Sequence, residues 1–176
     1  MSTTALPDCV AETETMHSVG EFRIVIVYET PAIGSAAMKL CERLVEKFND
    51  SYLFRFAVSS FEKLEDQTRF DESLKAAESA DMIFVGSAGA LPARFLAWFK
   101  RCVEHRREDV PVALVDMTSD TSARAEDVHE LLRSAAKAHH LDLISKEQFV
   151  LPVTTATTSS TPGSHRGNVR HWGINE

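Results

Sequence analysis

Cysteine is scarce in this chain, cations are outnumbered, and no apolar run is long; each shortage excludes a class of function. Only Cys9, Cys41 and Cys102 occur among the 176 residues. They are odd in number, far apart and without CxxC or Cys/His ligand spacing, so they read as reduced thiols rather than as a disulfide framework or a thiolate metal centre. Lys and Arg total 19 against 26 Asp and Glu, giving a net charge of -7 and a pI of about 5.5. A phosphate backbone or an anionic membrane surface is repelled by that balance, so neither nucleic acid nor membrane is an expected partner. The first twenty residues, MSTTALPDCVAETETMHSVG, hold no Lys or Arg and no apolar stretch of signal-peptide or membrane-span length. The expected location is the cytoplasm. Ser-His-Asp, HExxH and Walker-type spacings are also absent.

What is present is an alternation of short β-branched runs with amphipathic segments, in a length that suits one domain. FRIVIVY, 22 to 28, is apolar on both alternations, as a central strand covered on both faces is. From Ser35 to Phe48 the apolar positions Met38, Cys41, Leu44, Val45 and Phe48 recur at helical spacing and predict an amphipathic helix that covers this strand. YLFRFAV, 52 to 58, carries Arg55 and suits a strand nearer the sheet edge. FDESLKAAESA, 70 to 80, reads as a short helix with Asp71 and Glu72 where the helix dipole favours acids. ADMIFVGS, 80 to 87, and VPVALVD, 110 to 116, read as buried strands. Between them Pro92 opens a helix that buries Phe95, Trp98, Phe99, Cys102 and Val103. Residues 123 to 140 read as a further helix on Val128, Leu131, Leu132 and Ala135, and EQFVLPV, 147 to 153, as the last strand, ended by Pro152. Cys41 and Cys102 lie on apolar helix stripes, where a buried thiol behaves as a small hydrophobe.

Five strands separated by four helices predict a three-layer, doubly wound α/β domain over residues 21–153. Right-handed crossovers give its parallel sheet the flavodoxin-like order 2-1-3-4-5. Residues 1–20 read as a flexible segment and 154–176 as a Ser/Thr-rich linker and tail. In such a sheet ligands sit beyond the carboxyl ends of the strands, where strand order reverses. Three loops converge there, 29–35, 86–91 and 117–122. The first, ETPAIGS, brings the Thr30 and Ser35 hydroxyls to a helix N-terminus, and Gly34 lets backbone approach an anion. A plainer reading makes Ser35 the helix N-cap and Pro31 and Gly34 parts of an ordinary turn.

ETPAIGSAAMKL, 29 to 40, resembles the phosphate loop of the NADPH-dependent FMN reductase family, Gly-Ser-x-Arg-x-x-Ser-x-Asn-x-x-Leu, with Thr30, Ser35 and Leu40 in register. ADMIFVGSAGALPARFLAWFKR, 80 to 101, is similar to that family's next segment at Asp81 and Pro92. The resemblance implies FMN, or a related phosphate-bearing ligand, held by Thr30, Ile33, Gly34 and Ser35, by Ser87, Ala88 and Gly89, and by Thr118 and Ser119. NAD(P)H is then the reductant and the flavin carries the redox chemistry, with no protein acid or base assigned. Glu29 stands in place of the family's Gly and sets a carboxylate beside the phosphate, which repels it unless the side chain turns away. Ala37 replaces the family's Asn, and the second loop lacks an aromatic residue against the flavin ring.

Response-regulator receiver domains share this architecture and supply the alternative, a non-catalytic pseudo-receiver or scaffold. Glu29 stands alone where receivers keep an acidic pair, Ser87 replaces the phosphoryl acceptor, and Thr118 or Ser119 stands where they keep a hydroxyl. No Lys follows Val153. A clear fifth helix is missing, so strands apolar on both faces need another covering. The ending HWGINE, which resembles that of uncharacterised bacterial proteins of similar layout, offers Trp172 and Ile174 for docking, in a homodimer or on a protein partner. His139 and His140 are adjacent, about 100° apart on a helix, and so do not chelate one metal together. Lys100, Arg101, Arg106 and Arg107 read as the exposed side of the helix that contains them.

Overall fold

A computed structural model describes residues 20–89, 91–106, 110–119 and 124–148. The chain runs β1 (Gly20–Tyr28), α1 (Pro31–Phe48), β2 (Tyr52–Ser60), a 3-10 turn (Glu62–Glu65), α2 (Gln67–Glu78), β3 (Met82–Gly86), α3 (Ala93–Glu104), β4 (Ala113–Asp116), α4 (Ala125–Ala138) and β5 (Asp142–Ser145). All strands are parallel, in the order β2-β1-β3-β4-β5. This is the flavodoxin-like order expected from the alternation of elements. The pleat divides the core: Val25, Val27, Ile83 and Val85 face one way and pack with Phe70, Phe95, Trp98 and Leu132 of α2, α3 and α4. Ile24, Ile26 and Phe84 face the other way, against Ala37, Cys41 and Leu44 of α1. A central strand buried on both sides has to be apolar at successive positions, which is why these runs do not alternate.

The last strand departs from expectation. β5 is Asp142–Ser145, and Lys146–Gln148 is a turn closed by Gln148, whose side chain accepts from the Ser145 N–H at 3.1 Å. Residues 149–153 lie outside the described residues. The cause is the end of α4: His140 adopts φ 53° and the Leu141 N–H donates to the Ala136 carbonyl at 2.9 Å, a Schellman closure made without glycine. Leu143 and Ile144 then face opposite cores, as a strand requires.

β4 begins at Ala113 rather than Val110, which is exposed and precedes Pro111. Arg106 is not a surface cation; it donates to the Ala77 and Ala80 carbonyls at 2.7 and 2.6 Å and fastens the chain beyond α3 to the end of α2. Arg94, by contrast, lies over the Phe70 ring at 4.2 Å, a cation–π contact between α3 and α2. No helix among the described residues is long and apolar enough to cross a membrane. Residues 1–19, with Cys9, and the tail with Trp172 and Ile174 lie outside the described residues, as does any covering that the chain after β5 provides.

Candidate functional site

Strand order reverses between β1 and β3, so the crevice that such folds offer to ligands opens above Tyr28 and Gly86. The connection from β1 to α1 is only Glu29 and Thr30, because Pro31 takes the first helical position. Pro31 carries no N–H and has φ preset for a helix, so it starts one at the earliest opportunity. Ser35 is therefore not the N-cap, and it lies exposed in the first turns of α1. Thr30 caps the helix instead: its Oγ1 accepts from the Ile33 N–H at 3.4 Å, and the Gly34 N–H donates to the Thr30 carbonyl at 3.0 Å. The expected seven-residue phosphate loop is thus two residues of connection and the start of a helix.

Gly34 and Gly86 serve packing. A Cβ on Gly34 would meet the Tyr28 ring at 2.9 to 3.0 Å, and a Cβ on Gly86 would meet Ile33 Cγ2 at 2.2 Å. Gly34 admits an aromatic side chain of β1, and Gly86 lets Ile33 lie directly over the end of β3. The close backbone approach expected for a phosphate is used to seat α1 on the sheet.

Glu29 does the opposite of turning away from the site. Its Oε2 accepts from the Ser87 hydroxyl at 2.8 Å and from the Ala88 N–H at 2.6 Å, while the Glu29 N–H donates to the Gly86 carbonyl at 2.9 Å. Ser87 is fully buried, and its Oγ in turn accepts from the Gly89 N–H at 3.0 Å. An ionised carboxylate with a hydroxyl and an amide donor makes strong hydrogen bonds. The second loop, through Ser87, Ala88 and Gly89, is therefore already organised around an anion that belongs to the protein.

The third loop contains a cluster that sequence reading missed. Asp116, buried at the end of β4, accepts from the Thr118 N–H through Oδ1 at 2.9 Å and meets His129 Nδ1 of α4 through Oδ2 at 2.5 Å. Lys146, directly after β5, donates to the Thr118 carbonyl at 2.8 Å, and the Ser119 N–H donates to the Ser87 carbonyl at 2.8 Å. The Thr118 hydroxyl is buried and has no hydrogen-bond partner among the described residues. An acidic residue closing an apolar strand was the signal available for Asp116; its partners lie in other elements. Lys146 also corrects the comparison with receivers, since a Lys does follow the fifth strand once β5 ends at Ser145.

Of the residues expected to bind a cofactor, Thr30, Ile33 and Gly34 meet at the start of α1, while Ser87, Ala88 and Gly89 gather under Glu29. Thr118 and Ser119 join the second group through the Ser119–Ser87 bond. Ser35 stands apart, beside a cavity of about 400 Å³ between α1 and β2 that Tyr28, Met38 and Val58 also line. Asp81 is remote from all of these, at the amino end of the sheet, where its carboxylate accepts from the Arg23 N–H at 2.7 Å. Among the described residues no His, Cys, Asp and Glu cluster suits a metal ion. Cys41 and Cys102 are buried, and burial pushes both thiols up to about 12, which removes them as nucleophiles near neutrality.

Sheet order and helix placement define a flavodoxin-like α/β domain. No protein-family model matches the chain, and no curated protein matches it. Among solved structures, the flavodoxin-like domain of a Synechococcus protein is similar at a TM-score of 0.43 and 16% identity, over 80% of this chain and 85% of that one.

Proposed function

We propose that this chain is a non-catalytic, flavodoxin-like interaction module of the pseudo-receiver kind, which acts through its surface and its C-terminal tail. The observation that carries the reading is the Glu29 carboxylate on the Ser87 hydroxyl and the Ala88 amide. A ligand phosphate would have to displace that carboxylate or lie beside it, and like charges at such separation disfavour both being ionised. The Ile33 N–H, which would be the natural donor of a helix N-terminus, is held by Thr30. Ser87 occupies the place of a receiver's phosphoryl acceptor and is committed as a donor to Glu29.

Titration of the full chain with FMN, followed by flavin fluorescence, tests this directly. The expected result is no saturable quenching and no flavin absorbance in the purified protein; saturable binding at micromolar FMN overturns it. A second reading, FMN binding with NAD(P)H as reductant, draws support from the Thr118 hydroxyl, which has no partner among the described residues and which a bound ligand would satisfy. Under that reading Thr118→Val weakens FMN binding; under the first there is no binding to lose. The tail contributes Trp172 and Ile174 as docking residues, and deletion of 171–176 is expected to lower the melting temperature or change the oligomeric state or partner binding.

A further inference from the structure

We infer that β2 is a two-fold self-association edge, along which a second copy of this chain pairs antiparallel with Phe56 opposite Phe56. Among the described residues β2 ends the sheet and pairs with β1 alone, so none of them meets the backbone groups on its outer side as a strand partner. Proteins usually protect such an edge with proline, a bulge, a short strand or free charges. β2 has none of these: it pairs with β1 in unbroken register from Tyr52 to Ser60. Its one charged residue, Arg55, is turned back to Glu21 of β1 at 2.9 Å.

The side chains agree with the backbone. Of six large apolar residues left exposed among the described residues, four are on β2: Tyr52, Leu53 (53% exposed), Phe56 (41%) and Val58 (43%). On the α1 face, Phe22, Tyr52, Phe54 and Phe56 form a ladder with ring centroids 5.6 to 6.4 Å apart. The ladder reaches the edge and stops there.

Symmetry then selects a register. A two-fold axis perpendicular to the sheet keeps each face in line with itself, so it must pass through a residue position rather than between two. Centring on Phe56 is the register that pairs all nine residues of Tyr52–Ser60. Centring on Arg55 would set two like charges opposite each other, which destabilises a strand pair. With Phe56 at the centre, Arg55 faces Ala57, Phe54 faces Val58 and Leu53 faces Ser59.

The last two pairs fall at openings on either side of β2. Phe54 of the second copy arrives beside Val58 and the cavity of about 400 Å³ lined by Tyr28, Pro31 and Met38. Leu53 arrives beside Ser59 and a cavity of about 340 Å³ lined by Ala57, Lys63 and Ser73. Backbone pairing with alternate side chains entering pockets is the usual way an added strand gains both affinity and selectivity. Here the strand that fits the pockets is β2 itself.

The test uses the full chain and light scattering coupled to gel filtration across micromolar concentrations. A mass twice the 19.6 kDa of one chain is expected. Phe56→Lys and Leu53→Asp, both at exposed positions, are each expected to return the mass to one chain with a native circular dichroism spectrum. An equimolar mixture of Phe56→Lys and Phe56→Glu is expected to restore the double mass, because opposite charges then meet on the axis. A wild-type protein that stays monomeric, a dimer that survives both substitutions, or a mixed sample that stays monomeric overturns the proposal. Should Phe56→Lys fail to fold, Leu53→Asp carries the comparison.

Discussion

The Ser87 hydroxyl donates to the Glu29 carboxylate at 2.8 Å, joining the carboxyl ends of the two central strands across the crevice where a flavodoxin-like sheet normally receives its ligand. Replacing Glu29 by Ala leaves the buried Ser87 hydroxyl without its acceptor and the Ala88 N–H without its own. The expected cost is ~1–3 kcal/mol, with Glu29→Gln less damaging because an amide oxygen still accepts. Urea denaturation of the two variants against wild type measures both.

Gly86→Ala is expected to destabilise by ~1–3 kcal/mol, because the new methyl collides with Ile33 Cγ2. Ile33→Ala vacates that space. The double variant should therefore lose less stability than the sum of the two single variants, and a thermodynamic cycle reads the coupling. Strict additivity would remove the contact as the reason for glycine at this position.

Asp116 serves two elements, the Thr118 amide and the His129 ring. Asp116→Ala should cost ~1–3 kcal/mol through the unsatisfied amide and the lost bond to the ring. The imidazole NMR resonances of His129 should shift in Asp116→Asn while those of the remote His105 do not.

The thiols give a pH prediction with a definite sign. Burial pushes Cys41 and Cys102 up to about 12 from an ordinary value of 9.0, so the fold keeps them protonated where the unfolded chain ionises them. Their contribution to stability is complete below about pH 9 and is lost as pH rises from there towards 12. In a Cys9→Ser background, a thiol-specific disulfide reagent at pH 8 should react only as fast as the protein opens. Rapid stoichiometric labelling of the native protein would contradict the buried placement.

Arg106→Ala should cost ~1.5–3 kcal/mol, since one guanidinium satisfies the carbonyls of both Ala77 and Ala80. Lys100→Ala, which removes an exposed partner 3.8 Å from Glu104, should be close to neutral. The contrast separates a cation that closes a helix end from one that is merely soluble.

Strand order and the division into layers were legible because the centres of β1, β3 and β4 are apolar at successive positions, as a strand covered on both faces requires. β5 was not, since the stop before it depends on His140 taking a left-handed conformation that glycine usually signals. The start of α1 was misplaced for a related reason: Ser35 and Pro31 both carry start signals, and Pro31 comes first. Within the site, the residue types at positions 29, 87 and 118 were recognised as relevant. Their roles were not legible, because whether Glu29 repels a phosphate or replaces it depends on Ser87 and Ala88, which sequence separates from it by 58 and 59 residues.

Those separations also bear on how the molecule assembles. Asp81 ties the amino ends of β1 and β3 through Arg23, and Glu29 ties their carboxyl ends through Ser87; both links close loops of 58 residues. The chain between their partners carries α1, β2 and α2, and the entropy of closing so long a segment must be met before either contact rewards it. The two carboxylates thus act as latches, one at each end of the β1–β3 pairing, that close only once that pairing is made.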